Sequence, residues 1–116
     1  MELGELLLEI KKNYEKYFKN PIYYARKIKN KAKKLLGKDT KIYLFGSIVR
    51  KNFTYSSDID ILIVSKRLKN LKNRSRLRLK LLEDIGEDSP FEIHLSTPEI
   101  YENFYKKFIK NDYIEI

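Results

Sequence analysis

The residues in this sequence best suited to chemistry are Gly46-Ser47, ten further residues, and then Asp58-Ile59-Asp60 inside an apolar segment. Side chains two apart on a strand point to the same face, so Asp58 and Asp60 are expected to project together while Ile59, Ile61 and Ile63 point the other way, into a core. Two carboxylates at that spacing repel each other unless a cation sits between them. Hard divalent cations, magnesium above all, are held by one or two such carboxylates together with substrate phosphates and water. The competing reading is that these aspartates cap a strand end or face solvent, but so apolar a flank calls for a reason to carry two acids. Gly46-Ser47 after a strand offers a turn whose backbone N–H groups can approach phosphate oxygens, with a hydroxyl to donate to them; alone it would read as an ordinary turn. Glu92 is the third acid of interest. In Phe91-Glu92-Ile93-His94-Leu95 the apolar residues share one face, and Glu92 shares the other with His94. If that strand pairs beside the Asp-x-Asp strand, three carboxylates meet and could hold two magnesium ions about 3.5 to 4 Å apart, the arrangement that stabilises both oxygens of an in-line phosphoryl displacement. Otherwise Glu92 is an acid on a solvated sheet face. His94 could touch substrate, although a lone histidine on a strand is more often structural.

Periodicity predicts the helices and strands that carry these residues. Leu3, Leu6, Leu7, Ile10, Tyr14, Tyr17 and Phe18 recur at spacings of three and four, which predicts an amphipathic helix over residues 2–18. Asn20-Pro21 supplies a stop and a new N-cap, and a second helix runs to Leu36 before Gly37 ends it. Residues 40–45 and 59–64 are β-branched and aromatic and read as buried strands. Leu71, Ser75, Leu79, Leu82 and Ile85 predict a helix over 69–85, although Arg74, Arg76, Arg78 and Lys80 also alternate as a strand would. Residues 90–95 read as a strand with its proline at the first position. Thr97-Pro98 opens a last helix, whose stripe of Ile100, Tyr101, Phe104, Tyr105 and Phe108 reads as core, and residues 113–116 read as a short final strand.

Composition narrows the function classes. At 116 residues the chain is expected to form one domain, 1–116, since domains commonly run about 100 to 150 residues. It has no cysteine, which excludes disulfides, thiolate zinc sites and thiol nucleophiles. His94 is the one imidazole, so chemistry that needs several histidines is excluded and carboxylates are the better candidates. No run of about 18 apolar residues is present, and the N-terminus is acidic where a secretory signal would be basic; a cytoplasmic location is expected, without a membrane. The net charge of +9, concentrated over residues 26–41 and 66–80, suggests a polyanionic partner or only a solvated lysine-rich surface.

Taken together, Gly46-Ser47, the ten-residue gap, Asp58-Ile59-Asp60 and a later Glu92 on a strand resemble the polymerase-beta-like nucleotidyltransferase superfamily, and above all its smallest members, the minimal nucleotidyltransferases. The resemblance covers nearly the whole chain. It implies an α/β fold, a small mixed sheet of three to four strands packed against helices, and transfer of a nucleoside monophosphate from a nucleoside triphosphate, with ATP the favoured donor, to a hydroxyl acceptor. It also implies that Gly46 and Ser47 contact the triphosphate, that Asp58, Asp60 and Glu92 ligate Mg²⁺, and that Glu92 helps activate the acceptor. Arg50 matches an arginine three residues after the serine, suited to pairing with phosphate. Two positions depart from the family pattern: Lys51 stands where many members have glycine, and Glu92 where aspartate is common. Minimal nucleotidyltransferases resembling this one are commonly antitoxin partners of HEPN-domain RNase toxins and adenylylate a tyrosine of the toxin. The rival readings are a non-catalytic nucleotide- or partner-binding module and a basic RNA-binding protein.

Overall fold

The computed structural model describes residues 2–54, 56–86, 88–109 and 111–116, without the side chains of Lys11 and Phe108. Helix α1 (Leu3–Lys19) ends at Asn20, and α2 (Pro21–Leu36) starts with proline in its first turn, where the missing N–H costs nothing. The Asn20 side chain forms no capping bond. Gly37 closes α2 with a φ of 109°, a backbone that a side chain would strain.

Strand β1 (Lys41–Phe45) leads into a single helical turn, α3 (Ser47–Arg50). Strand β2 (Ile59–Val64) comes next, then a 3-10 turn (Lys66–Asn70) and α4 (Arg74–Leu81). The one helix expected over 69–85 is therefore two shorter pieces. Each has its own cap: the Ser65 hydroxyl accepts from the Arg67 N–H and the Asn73 side chain from the Arg76 N–H, so two N-termini are satisfied where the apolar stripe suggested continuity. Strand β3 (Phe91–Ser96) precedes the last helix, which starts at Pro98 with the Thr97 hydroxyl accepting from the Ile100 N–H. Segments α5 (Pro98–Ile100), a π-helical turn (Tyr101–Tyr105) and α6 (Lys106–Ile109) run on with helical backbone. Strand β4 (Tyr113–Glu115) completes a four-stranded sheet in the order β3-β2-β1-β4. Strands β2 and β3 are parallel, and β1 is antiparallel to both β2 and β4. This is the mixed α/β sheet that the sequence implies.

Alternation splits each strand between two cores. Ile42, Leu44, Ile59, Ile61, Ile63, Phe91, Ile93 and Leu95 face α1, α2 and α4, meeting Tyr17, Phe18, Ile28, Leu77 and Leu81. Tyr43, Phe45, Leu62 and Val64 form a smaller cluster on the other face with Ile109, flanked by Tyr101 and Tyr105. The expected aromatic stripe is only partly core: Tyr101 stacks on Tyr43 at 5.3 Å, while Ile100 and Phe104 are exposed. A π turn adds a residue to the helical repeat and rotates the residues after it, which brings Ile109 inward. The Phe108 side chain lies outside the described residues. In α1 only the C-terminal half is anchored; Leu3, Leu6, Leu7 and Ile10 are exposed.

β3 is an edge strand, and arginines cover that edge. Arg78 donates through Nε to the Ile93 carbonyl at 3.0 Å, and Arg74 donates to the carbonyls of Leu95 at 3.1 Å and Leu68 at 3.3 Å. Two residues of the basic run are thereby committed to satisfying strand carbonyls, which also blunts the edge against pairing with another chain.

Candidate active site

The sheet register brings the acids together. Asp60 pairs opposite Glu92 across β2 and β3 and opposite Phe45 across β2 and β1. Phe45 is the residue before Gly46-Ser47, so the turn and both acids gather at one end of three adjacent strands. Contact is close at Gly46: its φ is 84°, and a Cβ built on it would lie 2.6 Å from Asp60 Oδ2. Glycine is required here for two reasons, the left-handed backbone and the approach of a carboxylate to the main chain. The Gly46 N–H is not free for phosphate, because it donates to the Asp112 carbonyl at 3.3 Å.

Asp58 lies one residue before β2 and is exposed. It stands beside Glu92, and the proximity of its carboxyl helps to raise that of Glu92. A donor atom from each of Asp60, Glu92 and His94 falls within a 4.8 Å group. His94 Nε2 stands 3.2 Å from Asp60 Oδ1 and 3.9 Å from Glu92 Oε1. Strand alternation puts His94 on the acid face but gives it no role there. What alternation cannot supply is the parallel register that aims the ring at the neighbouring strand.

The electrostatics show a site short of positive charge. The carboxyl of Glu92 is raised above its ordinary value, first by burial and next by the hydrogen bond with Asp58. His94 opposes the shift, and the charges of Asp58 and Asp60 add to it. Burial leads this shift and the neighbouring carboxylates add to it, a crowding that a cation would relieve. Asp60, Glu92 and His94 are thus the residues whose donor atoms stand close enough to hold a cation, with Asp58 beside Glu92. Glu83 and Asp84, on the turn after α4, instead pair with Lys31 at 3.2 and 3.3 Å.

Arg50 extends from α3 to Asp112, 3.7 Å away, with both side chains about half exposed. An exposed pair of this kind is weakly held, so the guanidinium can exchange this partner for a phosphate. Lys51 caps α3 with a φ of 62°, a left-handed backbone. Glycine would take that conformation without strain, which accounts physically for the glycine many family members carry there. A lysine tolerates it at a cost of about 1 kcal/mol. The shape of the turn therefore survives this departure from the family pattern.

A family model for a nucleotidyltransferase domain matches residues 25–116. The chain is 33% identical to a crystal structure assigned as a nucleotidyltransferase, with 78% of this chain and 95% of that one covered and a TM-score of 0.57. Another crystal structure, assigned as a nucleotidyltransferase from Sulfolobus solfataricus, is 21% identical over 86% of this chain and 82% of that one, with a TM-score of 0.59, and shares the fold. No match is found among curated proteins. No helix among the described residues is long and apolar enough to cross a membrane.

Proposed function

Because the chain belongs to the nucleotidyltransferase domain family, we propose that it transfers AMP from ATP, with Mg²⁺, to a tyrosine hydroxyl on a partner protein of the HEPN toxin class. The single observation that carries this reading is the convergence of Asp60 and Glu92 in one register with the Gly46-Ser47 turn against them. In this reading the acceptor oxygen attacks the α-phosphorus, a new P–O bond forms, and the bond to the leaving pyrophosphate breaks in line. Asp58, Asp60 and Glu92 would hold magnesium, which would supply charge neutralisation at the phosphates. The Ser47 hydroxyl and the Arg50 guanidinium hold the triphosphate. Glu92 takes the proton of the acceptor hydroxyl.

In-line transfer needs the acceptor hydroxyl held beside the α-phosphate. A partner's own surface supplies that positioning. Intact-mass spectrometry of the chain mixed with its cognate partner, ATP and Mg²⁺ tests the proposal. The partner should gain the mass of one AMP, and none with the Asp58→Asn/Asp60→Asn double variant. A partner that binds tightly without gaining mass, or that gains it equally with the double variant, would overturn the transferase reading in favour of a binding module.

A further inference from the structure

His94 occupies a place in the acid cluster that carboxylate chemistry alone does not need. It lies two residues after Glu92 on β3 and pairs opposite Leu62 on β2, so its ring stands on the acid face one step further along the strands. The ring is half-buried, with Phe45 at 5.2 Å and Tyr105 at 6.1 Å between ring centres. These aromatic neighbours leave Nε2 directed at the carboxylates, 3.2 Å from Asp60 Oδ1 and 3.9 Å from Glu92 Oε1. Donors on one octahedral ion at about 2.1 Å stand roughly 3 Å apart when adjacent and roughly 4.2 Å apart when opposite. The 3.2 Å separation is close to the adjacent value, and the 3.9 Å one is brought to either value by a side-chain movement of less than an ångström.

An imidazole changes which ion such a site prefers. Magnesium takes oxygen donors and gives up its water reluctantly, whereas first-row transition ions accept nitrogen and oxygen together. We infer that His94 ligates, through Nε2, a cation shared with Asp60 and Glu92, and that it turns the site's preference from Mg²⁺ toward a first-row transition ion such as Mn²⁺. This rests on the proposed function, in which these acids hold a divalent cation. Ligation uses the neutral tautomer with its proton on Nδ1, so the contact between Nε2 and Asp60 gives way to two bonds to one ion. The alternative is that His94 only positions Asp60 by a hydrogen bond, in which case it affects every cation alike.

The chain has one histidine, so a tag-free preparation gives an unambiguous signal. Pulsed electron paramagnetic resonance of the full chain with Mn²⁺ and no nucleotide should show modulation from a coordinated imidazole nitrogen. It should vanish in His94→Gln and His94→Ala. Competition titrations should show the ratio of Mn²⁺ to Mg²⁺ affinity falling about tenfold in both variants. Bound Mn²⁺ without a nitrogen signature in the wild type overturns the inference, whether or not either variant folds, and leaves the transferase reading standing. An unchanged affinity ratio in folded variants overturns it as well. If neither cation binds, or if Asp60→Asn binds both as tightly as the wild type, the acid site itself is wrong and both readings fall.

Discussion

The two faces of the sheet are built from the same strands and end differently. On one, Ile59, Ile61 and Ile63 of β2 lie beside Phe91, Ile93 and Leu95 of β3 and are buried under three helices. On the other, Leu62 and Val64 are covered by the last helix, and toward the start of the strands that cover gives out and the residues become Asp60, Glu92 and His94. The alternation of side chains along a strand therefore separates stability from chemistry by a single residue. Carboxylates can be clustered because the opposite face already holds the strands in register.

Substitutions at adjacent positions test that separation, and the largest effect is expected on the acid face. Asp60→Asn should lower nucleotidyl transfer by on the order of 10³, since a charge-stabilising ligand is worth several kcal/mol in the transition state. Its metal-free melting temperature should stay level or rise, because one of the crowded charges is gone. A fall in melting temperature matching the loss of activity would mean that the two faces are not separable. One residue further on, Ile61→Ala should cost about 2 to 5 kcal/mol of stability, read from denaturant unfolding, while the fraction that stays folded keeps its turnover rate. Ile61 is fully buried, and a variant as stable as the wild type would show that the α1, α2 and α4 face is not the main core.

Much of this arrangement was legible because its signals are local. The apolar run of β2, the Pro21 start and Gly37 end of α2, and the Thr97 cap each depend on a few neighbouring residues and stand where the sequence places them. What escaped the sequence depends on partners distant in the chain. Arg74 and Arg78 read as part of a solvated basic run, whereas β3 is an edge whose carbonyls they reach. That Asp58, one residue before β2, and Asp60 both stand beside Glu92 depends on the β2–β3 pairing. The stripe of α1 correctly indicates a helix, yet periodicity cannot say that its first turns extend past the core, leaving Leu3 and Leu7 exposed. His94 needed the β2–β3 register, set by residues some thirty positions apart, before its ring could be aimed at Asp60.

Gly46 joins the two faces, since it ends a buried strand and touches an acid. Gly46→Ala should cost about 1 to 2 kcal/mol of stability from the left-handed backbone. It should lower activity by about 10², because the new methyl would stand 2.6 Å from Asp60 Oδ2 and push it away, and displacements of about an ångström cost that much. The comparison of melting and turnover in one variant is informative: a stability loss with unaltered turnover would show that Asp60 can move without consequence.

The smallest effect expected is a dependence on pH, and its sign is unusual for a carboxyl. Glu92 binds its proton more tightly when folded than when unfolded, chiefly through burial and the hydrogen bond with Asp58. Its contribution to stability is then fully present below the ordinary carboxyl range and is lost as pH rises through the raised folded value. In metal-free buffer the wild type should therefore lose stability across that window, and Glu92→Gln, which cannot ionise, should lose less and melt higher above it. The difference should be modest because the Glu92 side chain is about half exposed and solvent screens the charges around it. Saturating Mg²⁺ should reverse the order, since a bound cation favours the ionised carboxylate that the glutamine lacks. Melting curves across pH, with and without the cation, read both signs. If Glu92→Gln tracks the wild type in both conditions, Glu92 is an acid on a solvated face, and the cation site must be completed by Asp58, Asp60 and His94.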